Sequence, residues 1–164
     1  VEHHAIDERL VGWQDVMPTL LDLAGIDIPD SVEGRSMLDE KPRQYLYGEC
    51  GEGPTATRMI RAGQYKLIYY PVGNRAQLFD IENDPRELHD LAGDENYAPT
   101  LDHLAGHLQS ELYGGDEAWV ADGRLVGLPD QQWTPRPNRN LSGVRGIHYP
   151  HPPEINAEKT VGMP

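Results

Sequence analysis

Few residues in this chain have the types and spacing that chemistry requires. His103-Leu-Ala-Gly-His107 has the one-turn separation of a zinc-binding pair. No glutamate follows His103, so the metalloprotease pattern fails, and both histidines fall off the leucine stripe of their helix, which places them on a solvated face. His3 and His4 are adjacent and point in different directions on either a helix or a strand, so they read as an exposed polar or tag-like pair. Cys50 is the only cysteine and lies between Glu49 and Gly51. With no His or Lys beside it to lower its pKa, it reads as a bystander thiol. Asp80, Glu82 and Asp84 look like part of a calcium loop but lack the glycine and closing glutamate such a loop needs. Asp84 is better explained as a turn former before Pro85. Arg58 and Arg61 lie three apart on a strand and therefore on opposite faces, so at most one can face a given site.

The elements that must position these groups centre on residues 65–92. Tyr65-Lys-Leu-Ile-Tyr-Tyr alternates β-branched and aromatic residues in a strand pattern. Gly73-Asn74 supports a hairpin back into Gln77-Leu-Phe-Asp80. Asn83-Asp84-Pro85 turns the chain again, with Leu88 and Leu91 as an apolar anchor at its exit. Upstream, strands over Tyr45–Glu49 and Ala56–Arg61 flank the loop Cys50-Gly-Glu-Gly-Pro54, giving four antiparallel strands in sequence. A helix is predicted over Val16–Ala24, with Asp15 as cap, Pro18 in the first turn and Gly25 at the left-handed terminus. Its apolar face is Met17, Leu20, Leu21 and Ala24. A second helix is predicted over Tyr97–Leu112, with Pro99 in its first turn, an apolar stripe of Leu101, Leu104, Ala105, Leu108 and Leu112, and Gly114-Gly115 at its end. Ala121-Asp-Gly-Arg forms a turn. A strand meander covered by one helix is an α+β arrangement.

Composition limits the partners. The chain has 164 residues, enough for one domain with a real core. Fourteen Lys+Arg against 27 Asp+Glu give a net charge of -13, which argues against nucleic acid and anionic membranes. One cysteine excludes an internal disulfide and leaves the redox compartment open. No apolar run reaches membrane length. The chain opens on Val1, so it reads as a processed or truncated product whose N-terminus carries no targeting information, and localisation stays open. Residues from Leu128 onward are rich in proline, arginine and asparagine, and with Trp133 and Tyr149 they read as an extended segment laid on a larger body.

Four segments carry a family resemblance. Leu78-Phe-Asp-Ile-Glu-Asn-Asp-Pro-Arg-Glu-Leu-His-Asp-Leu-Ala92 resembles the signature "L(Y/F)DLxxDPxExxNLA" found near the C-terminus of arylsulfatase-type sulfatases, members of the alkaline phosphatase superfamily. Gly63-Gln-Tyr-Lys-Leu-Ile68 is similar to their "dGxYKLI" strand. Asp15-Val-Met-Pro-Thr-Leu-Leu-Asp-Leu-Ala-Gly-Ile26 is similar to "DlxPTllxlAGi", and Val32-Glu-Gly-Arg-Ser-Met-Leu38 to "xdGxSLl". The four occur in the family's order.

The resemblance implies a four-stranded antiparallel sheet covered by a helix, as the C-terminal subdomain of an α/β sulfatase fold. It divides the chain into residues 1–40, a helix and connector at the end of the catalytic domain; 41–127, the subdomain; and 128–164, an extended proline-rich tail. It implies calcium and a formylglycine in the intact enzyme, the latter made from Cys or Ser in "C/S-x-P/A-x-R". Neither Cys50-Gly-Glu-Gly-Pro54 nor the segment at Ser142 has that pattern, and the paired aspartates of the metal site have no counterpart. No catalytic or metal residue is therefore assigned within this chain, and the missing N-terminal catalytic domain becomes its main partner. Substrate-side candidates are Glu49, Glu52 and Arg58, around the loop after the first strand, facing a small-molecule or saccharide sulfate ester. Two other readings stay open: a phosphodiester or phosphonate hydrolase of the same superfamily, or a stand-alone interaction module. Because formylglycine chemistry needs nucleophile and metal in one pocket, this chain alone is expected to leave a chromogenic aryl sulfate intact in the presence of calcium. Turnover that persists through repurification would overturn that expectation.

Overall fold

The computed structural model describes residues 6–41 and 43–131; the readings for His3-His4, Trp133, Ser142 and Tyr149 lie outside them. Four strands, β1 (Tyr45–Cys50), β2 (Thr57–Ala62), β3 (Tyr65–Tyr70) and β4 (Arg75–Asp80), form one antiparallel sheet in sequential order. Register pairs Tyr47 with Ile60, Ile60 with Leu67 and Leu67 with Leu78. Because strand side chains alternate in direction, these four residues form one row on one face. The last three are fully buried. Helix α2 (Ala98–Glu111) covers this face, placing Leu104, Leu108 and the following Leu112 in the same cluster. Each such leucine contributes roughly 1.5–3 kcal/mol by leaving water. The helix closes at Leu112, which is already extended, two residues ahead of the predicted Gly114-Gly115 stop. Those glycines instead open a 3-10 segment, Gly114–Trp119, that delivers Trp119 into the core.

Beyond it, β5 (Val120–Ala121) and β6 (Arg124–Leu125) make a small hairpin at the predicted turn. Asp122 and Gly123 both take positive φ there, the conformation that matches a two-residue hairpin to strand twist. The chain then returns to the β3–β4 loop. Leu128 N–H donates to the Pro71 carbonyl, Gly73 N–H donates to the Leu128 carbonyl, and Arg75 pairs with Asp130 at 2.8 Å.

The aspartates of residues 78–92 fasten the backbone after β4. Asp80 accepts from the backbone and side-chain amides of Asn83 and from Gln64 Nε2. Asp84 accepts from the backbone N–H groups of Leu88 and His89. Asp90 accepts from Leu78 and Ala92 N–H. Those hydrogen bonds, led by Asn83 at Asp80 and by the His89 backbone at Asp84, hold both carboxyls below the usual carboxylate range. The chain's exit is thus held by carboxylates. Leu88, predicted as an apolar anchor, is 68% exposed, and only Leu91 reaches the core.

Helix α1 (Val16–Leu23) ends as predicted. Gly25 has φ of 68°, its N–H donates to the Asp22 carbonyl and Ile26 N–H donates to Leu21, a complete Schellman closure. Its start differs from expectation. Asp15 does not cap α1; it ends a 3-10 turn, Trp13–Asp15, and its buried carboxylate accepts from the backbone N–H groups of Gly12 and Arg35 and from the Arg43 guanidinium. Thr19 Oγ1 donates to the Asp15 carbonyl and accepts from Met37 N–H. The segments at 15–26 and 32–38 are therefore two halves of one lock. Gly34 closes it, since a Cβ there would collide with the Gln14 carbonyl.

The apolar face of α1 is shifted from the predicted one: Val16, Met17, Leu20 and Leu23 are exposed while Leu21 is half-buried. Among the described residues, no strand makes more than marginal contact with this helix. Removing one partner of a buried ion pair costs about 3–5 kcal/mol. Asp15→Ala, and independently Gly34→Ala, are therefore expected to free the connector while the sheet stays folded. Loss of amide-exchange protection at Arg35 and Met37, with protection retained at Ile60 and Leu67, is the outcome to look for.

Candidate functional site

The sheet row after the apolar one is polar. Glu49 pairs with Arg58 and Arg58 with Tyr69, so Arg58 lies on the helix-covered face and Arg61 on the other, as their spacing required. Arg58 is nearly buried, with its guanidinium 5.3 Å from the centre of the Trp119 ring. Its Nη2 lies 2.6 Å and its Nε 2.8 Å from one oxygen of Asp116. Its Nη1 donates to the carbonyls of Gly51 and Thr57, both at 3.1 Å. These bonds set the shape of the Cys50–Pro54 loop.

Glu49 sits at the exposed end of this network. One of its oxygens accepts from Tyr113 Oη at 2.9 Å and the other from Tyr47 Oη at 3.1 Å, with Arg58 Nε at 3.9 Å. Burial, then the bond to Glu49, raises the Tyr47 phenol; the bond to Glu49 raises that of Tyr113. Both phenols therefore stay protonated donors at neutral pH. The side chain of Glu49 is 42% exposed, and Tyr113 presents its ring to solvent. A carboxylate fixed by two phenols beside an open aromatic face is suited to polyhydroxylated ligands: spare lone pairs accept hydroxyls and the ring covers C–H groups. Of the three candidates, the sheet brings Glu49 and Arg58 together, while Glu52 stands exposed at the loop. Tyr47, Tyr113 and Asp116 were missed. Tyr113 and Asp116 reach the site only through the turn after α2, and nothing near Glu49 in sequence marks them.

A shallow cleft beside the α1 connector is lined by Arg9, Arg35, Lys41 and Arg43 together with Asp15 and Asp39. Arg43 is committed to Asp15 and Arg9 to Asp7 and to the carbonyls of Met37 and Asp39. Among the described residues no group of three or more His, Cys, Asp or Glu side chains is arranged to hold a metal. Asp80 and Asp84 spend their oxygens on the turn, and Cys50 is an exposed free thiol outside the formylglycine pattern. This donor set does not fit the calcium–formylglycine centre that the sulfatase resemblance implies.

Arg58 and Asp116 are 58 positions apart and join β2 to the segment after α2. Asp116→Ala leaves a buried guanidinium unpaired, which costs about 3–5 kcal/mol. Replacing both partners with apolar residues, Arg58→Met with Asp116→Leu, is expected to recover most of that loss. Urea unfolding of the single and double variants measures it, and a double variant no more stable than Asp116→Ala would contradict the pairing.

Comparison with known proteins agrees with this architecture. Residues 1–113 match the family model described as N-sulphoglucosamine sulphohydrolase, C-terminal. An arylsulfatase of Clostridium perfringens is 37% identical over 125 residues, 73% of this chain and 26% of that protein. The structure of a protein solved with its substrate D-glucosamine-2-N,6-O-disulfate superposes with a TM-score of 0.52 at 26% identity, covering 58% of this chain and 22% of that one. The phosphonate monoester hydrolase of Agrobacterium radiobacter shares the fold, with a TM-score of 0.54 at 21% identity over 74% of this chain and 30% of its own. The chain thus spans about a quarter of the length of the curated arylsulfatase. Its four-stranded sheet under α2 matches the C-terminal subdomain of the sulfatase fold, and the chain belongs to the N-sulphoglucosamine sulphohydrolase C-terminal family.

Proposed function

We propose that the chain is the C-terminal part of a sulfuric-ester hydrolase, in which it completes the fold and lines the substrate side of the pocket. The observation that carries this reading is the match of residues 1–113 to a sulfatase C-terminal family. The nucleophile and metal belong to the N-terminal catalytic domain, where calcium and formylglycine would supply the attack on sulfur. The exposed face of Val16, Met17, Leu20 and Leu23 on α1 is where that domain covers this chain. Alone, the chain is driven to self-association through the same face, because so contiguous an apolar patch rarely stays open on a monomer.

The substrate in this reading is a sulfated saccharide. Glu49, held by Tyr47 and Tyr113, and the neighbouring Glu52 accept sugar hydroxyls, and Arg58 keeps their loop in shape. The resemblance to a structure holding a sulfated glucosamine supports this class, as does the composition of the Glu49 site.

The test uses the full-length protein with an aryl sulfate, a sulfated saccharide and a phosphonate monoester as parallel substrates. Sulfate release from the first two is expected. Glu49→Ala and Glu52→Ala are expected to raise KM for the saccharide more than they lower kcat, with the aryl sulfate little affected. Unchanged saccharide kinetics in both variants would remove this edge from the substrate side. Hydrolysis of the phosphonate alone would overturn the sulfatase reading.

A further inference from the structure

We infer that His103 and His107 form a binding site for a divalent transition-metal ion on the outer face of α2, separate from the calcium centre of the intact enzyme. Residues four apart on a helix are neighbours, but spacing alone does not make their rings converge. Here they do converge: Nε2 of His103 and Nε2 of His107 lie 3.3 Å apart. Two imidazole nitrogens bound to one tetrahedral zinc, each about 2.0–2.1 Å from it, stand about 3.3–3.4 Å from each other. The separation is therefore already that of a bound pair, and the rings meet edge to face, 81° between planes, with centroids 4.7 Å apart.

The second ligand is held in place by the fold. The His107 ring stacks on Tyr45 at 4.4 Å between centroids, 30° from parallel. Tyr45 is itself pinned by its hydroxyl, which donates to Glu111 at 2.7 Å. His107 is half-buried by this contact, so little rotamer freedom is left to lose when a ligand binds. His103 is exposed, which leaves an open approach and room for water to complete the coordination sphere. Without metal, one Nε2 faces the other across a hydrogen-bond distance; with a cation bound, each ring carries its proton on Nδ1, so that both Nε2 lone pairs are free to coordinate.

Imidazole donors select zinc, copper and nickel over the oxygen-seeking magnesium and calcium. The site is thus expected to ignore calcium, the ion of the family's chemistry. Two protein ligands make a site of moderate strength, suited to tethering or stiffening α2.

Isothermal titration of the chain with Zn2+ and with Ni2+ tests this, in a His3→Gln/His4→Gln background that removes the adjacent N-terminal pair. One ion is expected to bind per chain with release by EDTA, and to raise Tm, because a ligand that prefers the folded state stabilises it. Calcium and magnesium are expected to leave Tm unchanged. Loss of even an outer-shell partner weakens metal sites by about 10–100-fold, so His103→Gln, an exposed change that the fold tolerates, is expected to cost at least about tenfold in affinity. His107→Gln is expected to do the same. Binding that survives both substitutions, or none at millimolar zinc in the parent, would overturn the assignment.

Discussion

Everything in the subdomain hangs on the apolar row Ile60–Leu67–Leu78 being sealed under Leu104 and Leu108. A four-stranded meander by itself has two wet faces and little reason to persist. With α2 laid across one face, that face becomes a core, and the same register that aligns the apolar row aligns the polar one beside it. Glu49, Arg58 and Tyr69 are consecutive across three strands because Tyr47, Ile60 and Leu67 are. A slip of one residue would move both sets to the other face. The candidate recognition site is thus specified by the core's register.

Around that core, charged groups act mainly as fasteners. Asp80, Asp84 and Asp90 satisfy backbone N–H groups in the irregular stretch after β4, and Asp90 also takes the Leu78 N–H on the outer edge of that strand. Asp15 does the same for the connector, with Arg43 balancing its charge. An acidic chain of net charge -13 therefore places several of its carboxylates where their charge is stabilised by donors. Arg58 is the counterpart in the sheet: buried, paired with Asp116 and stacked over Trp119, it ties the Cys50–Pro54 loop to the end of α2. Its exposed neighbour Glu49 is held in place by the same network.

Read as a sequence, the chain showed its α+β class, its four sequential strands and both helices to within a residue or two, because alternation, helical periodicity, Pro85, Gly25 and Gly73-Asn74 are local signals. The opposite facing of Arg58 and Arg61 follows from strand pleating alone, and the family resemblance of residues 15–26, 32–38, 63–68 and 78–92 rests on contiguous residue strings. What was illegible depended on residues far apart in the chain. The bond of Asp15 to Arg35 spans 20 positions and that of Arg58 to Asp116 spans 58, so neither aspartate's role can be found in its own neighbourhood. Periodicity put His107 on a solvated face, yet Tyr45 of the first strand lies beside it and turns its ring toward His103. Leu88 looked like an anchor and is exposed, because Asp84 and Asp90 had already fixed that turn. Local chain chemistry determines which elements form and which way alternate side chains point. Which of those side chains meet is decided by packing at long range, and only the assembled sheet and helix determine that.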